Sequence, residues 1–168
     1  ALAGADAMVT SEVLAKVIAA ENFDFVICGV ESTDARMGVI PAMLSAHLDH
    51  AKLTFANRVD IDVESRSITI NRVTDAGECE MKAGFPAVIS VVEKINEPRY
   101  PSFKGIMAAK KKPIVTKDLG AIGGADTSSW TKVIEAQARP PRSAGKKIED
   151  DGSAAQQLVD FLVERKLV

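Results

Sequence analysis

The residues best suited to chemistry lie in one short loop, Gly29-Val30-Glu31-Ser32-Thr33-Asp34-Ala35-Arg36-Met37-Gly38. Two hydroxyls, Ser32 and Thr33, stand between two carboxylates, Glu31 and Asp34, with a glycine at each end. Glycines let a backbone approach a ligand closely. Successive N–H groups ahead of a helix can hold a phosphate. An ordinary strand-to-helix connection has much the same composition. The spacing matches neither a Walker A loop nor the Rossmann fingerprint.

Catalytic groups are scarce elsewhere. His47 and His50 stand three apart at a helix end, without the carboxylate–histidine spacing of a metal motif. A solvated helix end accounts for them. Cys28 ends an apolar run and reads as core, while Cys79 lies near a turn with no histidine beside it. Asp60 with Asp62, and Asp150 with Asp151, read as solvated surface pairs. No nucleophile is paired with a general base, so the chain is not expected to act as an enzyme on its own. A second segment of interest is Pro101-Ser102-Phe103-Lys104. An aromatic in such a loop either folds back into the core or anchors an interface. Lys110, Lys111 and Lys112 after it either attract an anionic partner or offset a helix dipole.

The positioning elements alternate between helix and strand. Ser11 is expected to cap a helix carrying Val13, Leu14, Val17 and Ile18. Phe25-Val26-Ile27-Cys28 suits a strand buried on both faces of a parallel sheet. Residues 38–47 read as helix, with Pro41 near its start. Two β-like runs follow, residues 54–63 and 67–73, then a turn at Asp75-Ala76-Gly77 and a second apolar strand over residues 85–92. The layout is α/β with a mostly parallel sheet and an inserted β-hairpin. Ser102 can cap a short helix through Ile106, Met107 and Ala109, and Pro113 forbids its continuation. Ile114-Val115 reads as a weaker strand and residues 120–129 as loop. Residues 139–147, Arg-Pro-Pro-Arg-Ser-Ala-Gly-Lys-Lys, read as an extended arm. Ser153 then caps a last helix bearing Leu158, Phe161 and Leu162. Two domains are expected: an α/β nucleotide-binding domain over 1–138, and an arm with a helix over 139–168.

Composition bounds the rest. The 168 residues are 46% apolar and 26% charged, enough to bury a core. Lys+Arg is 21 against Asp+Glu 23, a net charge of -2, so no global positive field draws in nucleic acid. No apolar run approaches the ~18–20 residues that span a bilayer. Two separated cysteines fit a reducing compartment better than a disulfide scaffold.

The string from Asn96 through Arg99, Tyr100, Phe103, Ile106, Met107, Lys110 and Lys111 to Pro113 resembles the signature segment of the β subunit of electron transfer flavoprotein. The loop from Gly29 to Asp34, Thr74-Asp75-Ala76-Gly77, Phe85-Pro86-Ala87-Val88 and the arm Arg139 to Gly145 resemble the same subunit. The resemblance runs over most of the chain. It implies a heterodimer with one FAD held mainly by the α subunit, and a β subunit with a Rossmann-like fold of the adenine-nucleotide-binding type. It also implies an AMP buried in most members with a structural role, where some members hold a second FAD. Gly29, Glu31, Ser32, Thr33, Asp34 and Gly38 are expected to meet the AMP phosphate and ribose. Asp34 is expected to orient the loop, accept from the ribose or share a cation. Arg99, Tyr100, Phe103, Ile106, Met107, Lys110 and Lys111 are expected at the partner surface, with Phe103 the apolar anchor for acyl-CoA and related dehydrogenases. The complex passes electrons to a membrane-bound electron transfer flavoprotein–quinone oxidoreductase. The arm is expected to wrap the α subunit. The family's N-terminal strand and helices are expected to be absent from this chain. The expected location is the bacterial cytoplasm, or the mitochondrial matrix in a eukaryote. A nucleotide sensor of the universal-stress type shares the layout and a Gly/Ser loop for ATP, but it does not predict the string around Phe103. An ATP-consuming ligase or pyrophosphatase needs a Ser-Gly-Gly-x-Asp-type loop, which is not found in this sequence.

Overall fold

The apolar runs pair into one five-stranded sheet in the order β1-β5-β2-β3-β4. The strands are β1 (Phe25–Gly29), β2 (Ala51–Asp62), β3 (Ser67–Thr74), β4 (Gly77–Gly84) and β5 (Ala87–Val91). In this computed structural model the described residues are 2–124, 126, 128–142, 145 and 147–168. They fall into two units, Ala1–Lys132 and Val133–Val168. β1 and β2 both run parallel to β5, whereas β2 with β3 and β3 with β4 are antiparallel. The sheet is thus mixed, not mostly parallel. β4 accounts for the difference. Its Gly-Glu-Cys-Glu-Met-Lys-Ala-Gly sequence is largely exposed and has no apolar run, but it pairs along the whole length of β3.

The core sits on both faces of β5. Ile89 joins Leu53, Ala56, Ile68, Ile70 and Ala87 on one face. Val88 points the other way, to Ala15 and Leu44, as the two-residue period of a strand requires. Ala15 belongs to helix α1 (Ala7–Ala19) and Leu44 to helix α2 (Ile40–Leu48). Pro41 occupies the first turn of α2, and Asp49 ends it in the left-handed region.

Ser11 does not cap α1. Asp6 does, its carboxylate accepting from the Val9 N–H at 3.0 Å. Ser11 is buried one turn further in, donating to the Met8 carbonyl at 2.9 Å and meeting His47 Nε2 at 3.1 Å. A serine inside a helix satisfies its hydroxyl by such back-bonding.

The other oxygen of Asp6 fastens a distant segment. It accepts from the N–H groups of Trp130 at 2.7 Å and Thr131 at 3.1 Å, and from the Thr131 hydroxyl at 3.3 Å. Lys16 adds a bond to the Gly124 carbonyl at 2.8 Å. The bond from Val9, and with it those from Thr131 and Trp130, holds the Asp6 carboxyl below its ordinary range. A depressed carboxyl contributes fully above its unfolded value, about 3.9, and the contribution is lost as pH falls through the lower folded value. Amide exchange at Trp130 and Thr131, corrected for intrinsic rates, should therefore stay slow down to about pH 4 and quicken only below it. A rise already at about pH 5 would contradict this latch.

Ile114 and Val115 form no strand and are 92% and 75% exposed. With no neighbouring strand to pair them, two β-branched residues stay extended in solvent. Helix α3 (Phe103–Ala109) starts where Ser102 accepts from the Gly105 N–H at 3.1 Å. None of its residues is buried.

In the second unit the arm's described residues adopt neither helix nor strand. Ser143, Ala144 and Lys146 lie outside the described residues, as do Ala125 and Thr127 of the expected 120–129 loop and Ala1. Helix α4 (Ala154–Glu164) follows Ser153. The Ser153 hydroxyl does not cap it; it donates to Asp151 at 2.6 Å. Leu158, Val159, Phe161 and Val163 of α4 are exposed. Among the described residues no helix is long and apolar enough to cross a membrane.

Candidate functional site

Parallel strands bring their carboxyl ends to one edge, the usual ligand edge of an open α/β sheet. Gly29 is in register with Val91, and Val91 with Ala56. From that edge the Gly29–Gly38 loop runs between two cavities of about 420 and 380 Å³, within the ~300–1,000 Å³ common for small-molecule sites. Gly29, Glu31 and Ser32 line both, Asp34 and Gly38 the first, and Thr33 the second. All six expected loop residues thus converge on this edge.

The loop's shape comes from its own polar groups. The Ser32 side chain bonds the Asp34 carboxylate, which also accepts from the Ala35 N–H at 2.8 Å. These bonds, Ser32's first, hold the Asp34 carboxyl below its ordinary range. The Arg36 N–H closes a turn on the Ser32 carbonyl at 3.1 Å. Gly38 has φ +65, and a Cβ there would stand 3.6 Å from the Val30 carbonyl. The left-handed backbone, rather than crowding, is what calls for glycine.

Several wall residues escaped the sequence reading. Ala7, Thr10 and Leu14 of α1 line the first cavity; their helical spacing signals a face but not what the face meets. Arg36, Val91 and Glu93 line the second. Arg36 was legible as the loop's single cation. The first cavity is mainly apolar, closed by Met37, Ile40 and Pro41 among others. Among the described residues, the walls offer apolar surface and the two loop hydroxyls of Ser32 and Thr33, with one cation, Arg36, beside three carboxylates, Glu31, Asp34 and Glu93.

The expected partner residues are all exposed. Arg99 and Tyr100 precede α3, and Phe103, Ile106 and Met107 lie on it. Lys110 caps its end and Lys111 follows. Phe103 is 80% exposed, so it does not fold back into the core. Cys28 is half-buried, and burial pushes its thiol up.

A family model described as the electron transfer flavoprotein domain matches residues 1–121. The electron transfer flavoprotein subunit beta of Mycobacterium leprae is 42% identical over 171 residues, covering 98% of this chain and 64% of that protein. That of Megasphaera elsdenii is 31% identical over 183 residues, covering 99% and 67%. The Bos taurus subunit is 34% identical over 139 residues, covering 83% and 53%. The chain therefore spans a little under two thirds of the Mycobacterium relative's length. With the matched domain reaching over both the cavity-lining loop and the exposed α3, this chain belongs to the electron transfer flavoprotein β-subunit family.

Proposed function

We propose that this chain forms part of the β subunit of a heterodimeric electron transfer flavoprotein, binding AMP structurally and docking flavin dehydrogenases. The observation that carries the reading is the loop held between two cavities at the carboxyl edge of β1 and β5. AMP fits the donor set. The apolar wall with Leu14, Ile40 and Pro41 suits a purine. Ser32, Thr33 and Asp34 offer partners to ribose hydroxyls. Arg36, the one cation among the described residues lining the second cavity, suits the phosphate and has to outweigh Glu31 and Glu93 on the same walls.

FAD, held mainly by the α subunit, supplies the electron-accepting chemistry between acyl-CoA and related dehydrogenases and the membrane quinone oxidoreductase. This chain's residues bind and position. Phe103, Ile106 and Met107 offer an apolar contact, flanked by Arg99, Tyr100, Lys110 and Lys111. Residues 1–138 form the Rossmann-like nucleotide domain with its inserted hairpin. The arm from Arg139 and the apolar side of α4 dock on the α subunit. The complex works in the bacterial cytoplasm, or in the mitochondrial matrix of a eukaryote.

The test is to purify the native complex through this chain, denature it and quantify the released small molecules by mass spectrometry. One FAD and one AMP per heterodimer are expected. Two FAD and no AMP would replace the AMP assignment with bifurcating chemistry. ATP with a single polypeptide would favour the stress-type sensor instead. Asp34→Ala should lower AMP occupancy, because the loop loses its internal brace; full occupancy would remove Asp34 from the site.

A further inference from the structure

After leaving the sheet the chain is fastened to α1 at successive points. Lys117 meets Glu21, just past the end of α1, at 3.0 Å. Lys16, within the helix, reaches the Gly124 carbonyl at 2.8 Å. Asp6, at its start, holds the N–H groups of Trp130 and Thr131. The contacts run backwards along the helix, so the described residues of 117–131 form a strap antiparallel to it.

The last fastening lies against the nucleotide cavity. Ala5 and Ala7 line the first cavity, whereas Asp6 between them does not. The Ser129 hydroxyl accepts from the Asp6 N–H at 3.0 Å and donates to the Gly4 carbonyl at 2.9 Å. One side chain thus brackets Ala5 from both flanks. The Asp6 carboxylate divides its oxygens, one for Val9 in the helix and the other for Trp130 and Thr131. The turn at Gly4 is exposed, with φ +82 and open space where a Cβ would stand. Hydrogen bonds rather than packing hold that turn, from Leu2 within it and from Ser129 outside it.

A wall held this way has two arrangements, fastened and released. A ligand lying against Ala5 and Ala7 contacts the fastened one. Ligand and strap then strengthen each other by the same factor, as linkage requires.

We propose that Ser129 and Asp6 are positioning residues for the nucleotide: they fasten residues 129–131 behind the cavity wall, and AMP occupancy in turn holds that strap shut. The inference rests on the AMP reading above. It adds to that site a second support, remote in sequence from the Gly29–Gly38 loop. Both residues act through Ala5 and Ala7, without touching the nucleotide.

The experiment uses the native complex, purified through the full β chain with its α subunit. AMP release into AMP-free buffer is timed by mass spectrometry for wild type, Ser129→Ala and Asp6→Asn. Ser129→Ala removes two hydrogen bonds and leaves the cap of α1 alone; release should quicken about fivefold. Asp6→Asn keeps a favoured capping residue, but one acceptor oxygen cannot serve helix and strap together. It should quicken release about tenfold. Amide exchange at Trp130 and Thr131 is then compared in the wild-type complex with AMP saturating and with AMP dialysed away. AMP should slow it about fivefold or more. The Gly105 amide, also exposed and bonded to a side chain, should not respond. A strap that only stabilises the fold would exchange equally with and without AMP, and that result overturns the proposal. Wild-type release rates in both variants also overturn it and leave the AMP reading standing. Should Asp6→Asn fail to fold, Ser129→Ala and the wild-type exchange decide. A wild-type complex that holds no AMP ends both this inference and the AMP reading.

Discussion

Replacing Ile89 with alanine is expected to destabilise the Ala1–Lys132 unit by about 2–5 kcal/mol. Ile89 is fully buried at the middle of β5, in register with Ile27 on one side and Leu53 on the other. Its side chain enters the cluster of Leu53, Ala56, Ile68 and Ile70. Truncation removes the transfer free energy of three carbons and leaves a void that paired strands cannot collapse around. Since domains hold only about 5–15 kcal/mol in total, a large share of the stability would go. The site would suffer too, because β5 carries Val91 to the edge where it faces Gly29. Urea unfolding should show a lower midpoint with an unchanged slope. Val63→Ala, at a position 74% exposed, should change stability by less than about 0.5 kcal/mol. Similar midpoints for the two variants would mean that β5 is not the centre of the core.

The second large effect concerns binding. Phe103→Ala should leave folding nearly untouched, because the ring is 80% exposed and opens a helix with no buried residue. Under the proposed function the same ring is the apolar anchor for a dehydrogenase. Aromatic hot spots cost about 2 kcal/mol or more when truncated, roughly thirtyfold in affinity. Electron acceptance from an acyl-CoA dehydrogenase should slow by about that factor at subsaturating concentrations, with flavin content and melting temperature unchanged. Wild-type kinetics in this variant would remove Phe103 from the partner surface.

Much of this was legible in the chain because local chemistry decided it. The apolar run over residues 85–92 could be read directly as a buried strand, but the burial on both faces expected of Phe25-Val26-Ile27-Cys28 fails at Ile27, 55% exposed, because β1 stands at one end of the sheet order. Ser102 followed by Gly105 and closed by Pro113 delimits a short helix whatever surrounds it. The loop from Gly29 to Gly38 announces itself by hydroxyls and acids between glycines. Where a distant segment took part, local chemistry was not enough, and the expected cap, Ser11, was the wrong residue. Asp6 took the cap of α1 from Ser11 because it satisfies both the helix and the Trp130–Thr131 segment, and that segment is more than a hundred residues away.

The alternation of apolar and polar residues, the capping residues and the turn glycines thus settled the order of most elements from composition and spacing alone, since each acts within a few residues. Pairing settled the rest. β4 has almost no apolar signal and exists as a strand because β3 offers it a ladder of hydrogen bonds. The α1 wall of the first cavity and the return of residues 129–131 to Asp6 both depend on contacts between distant segments. Such contacts form only once the sheet has set their distances, so no local pattern in the chain can encode them singly.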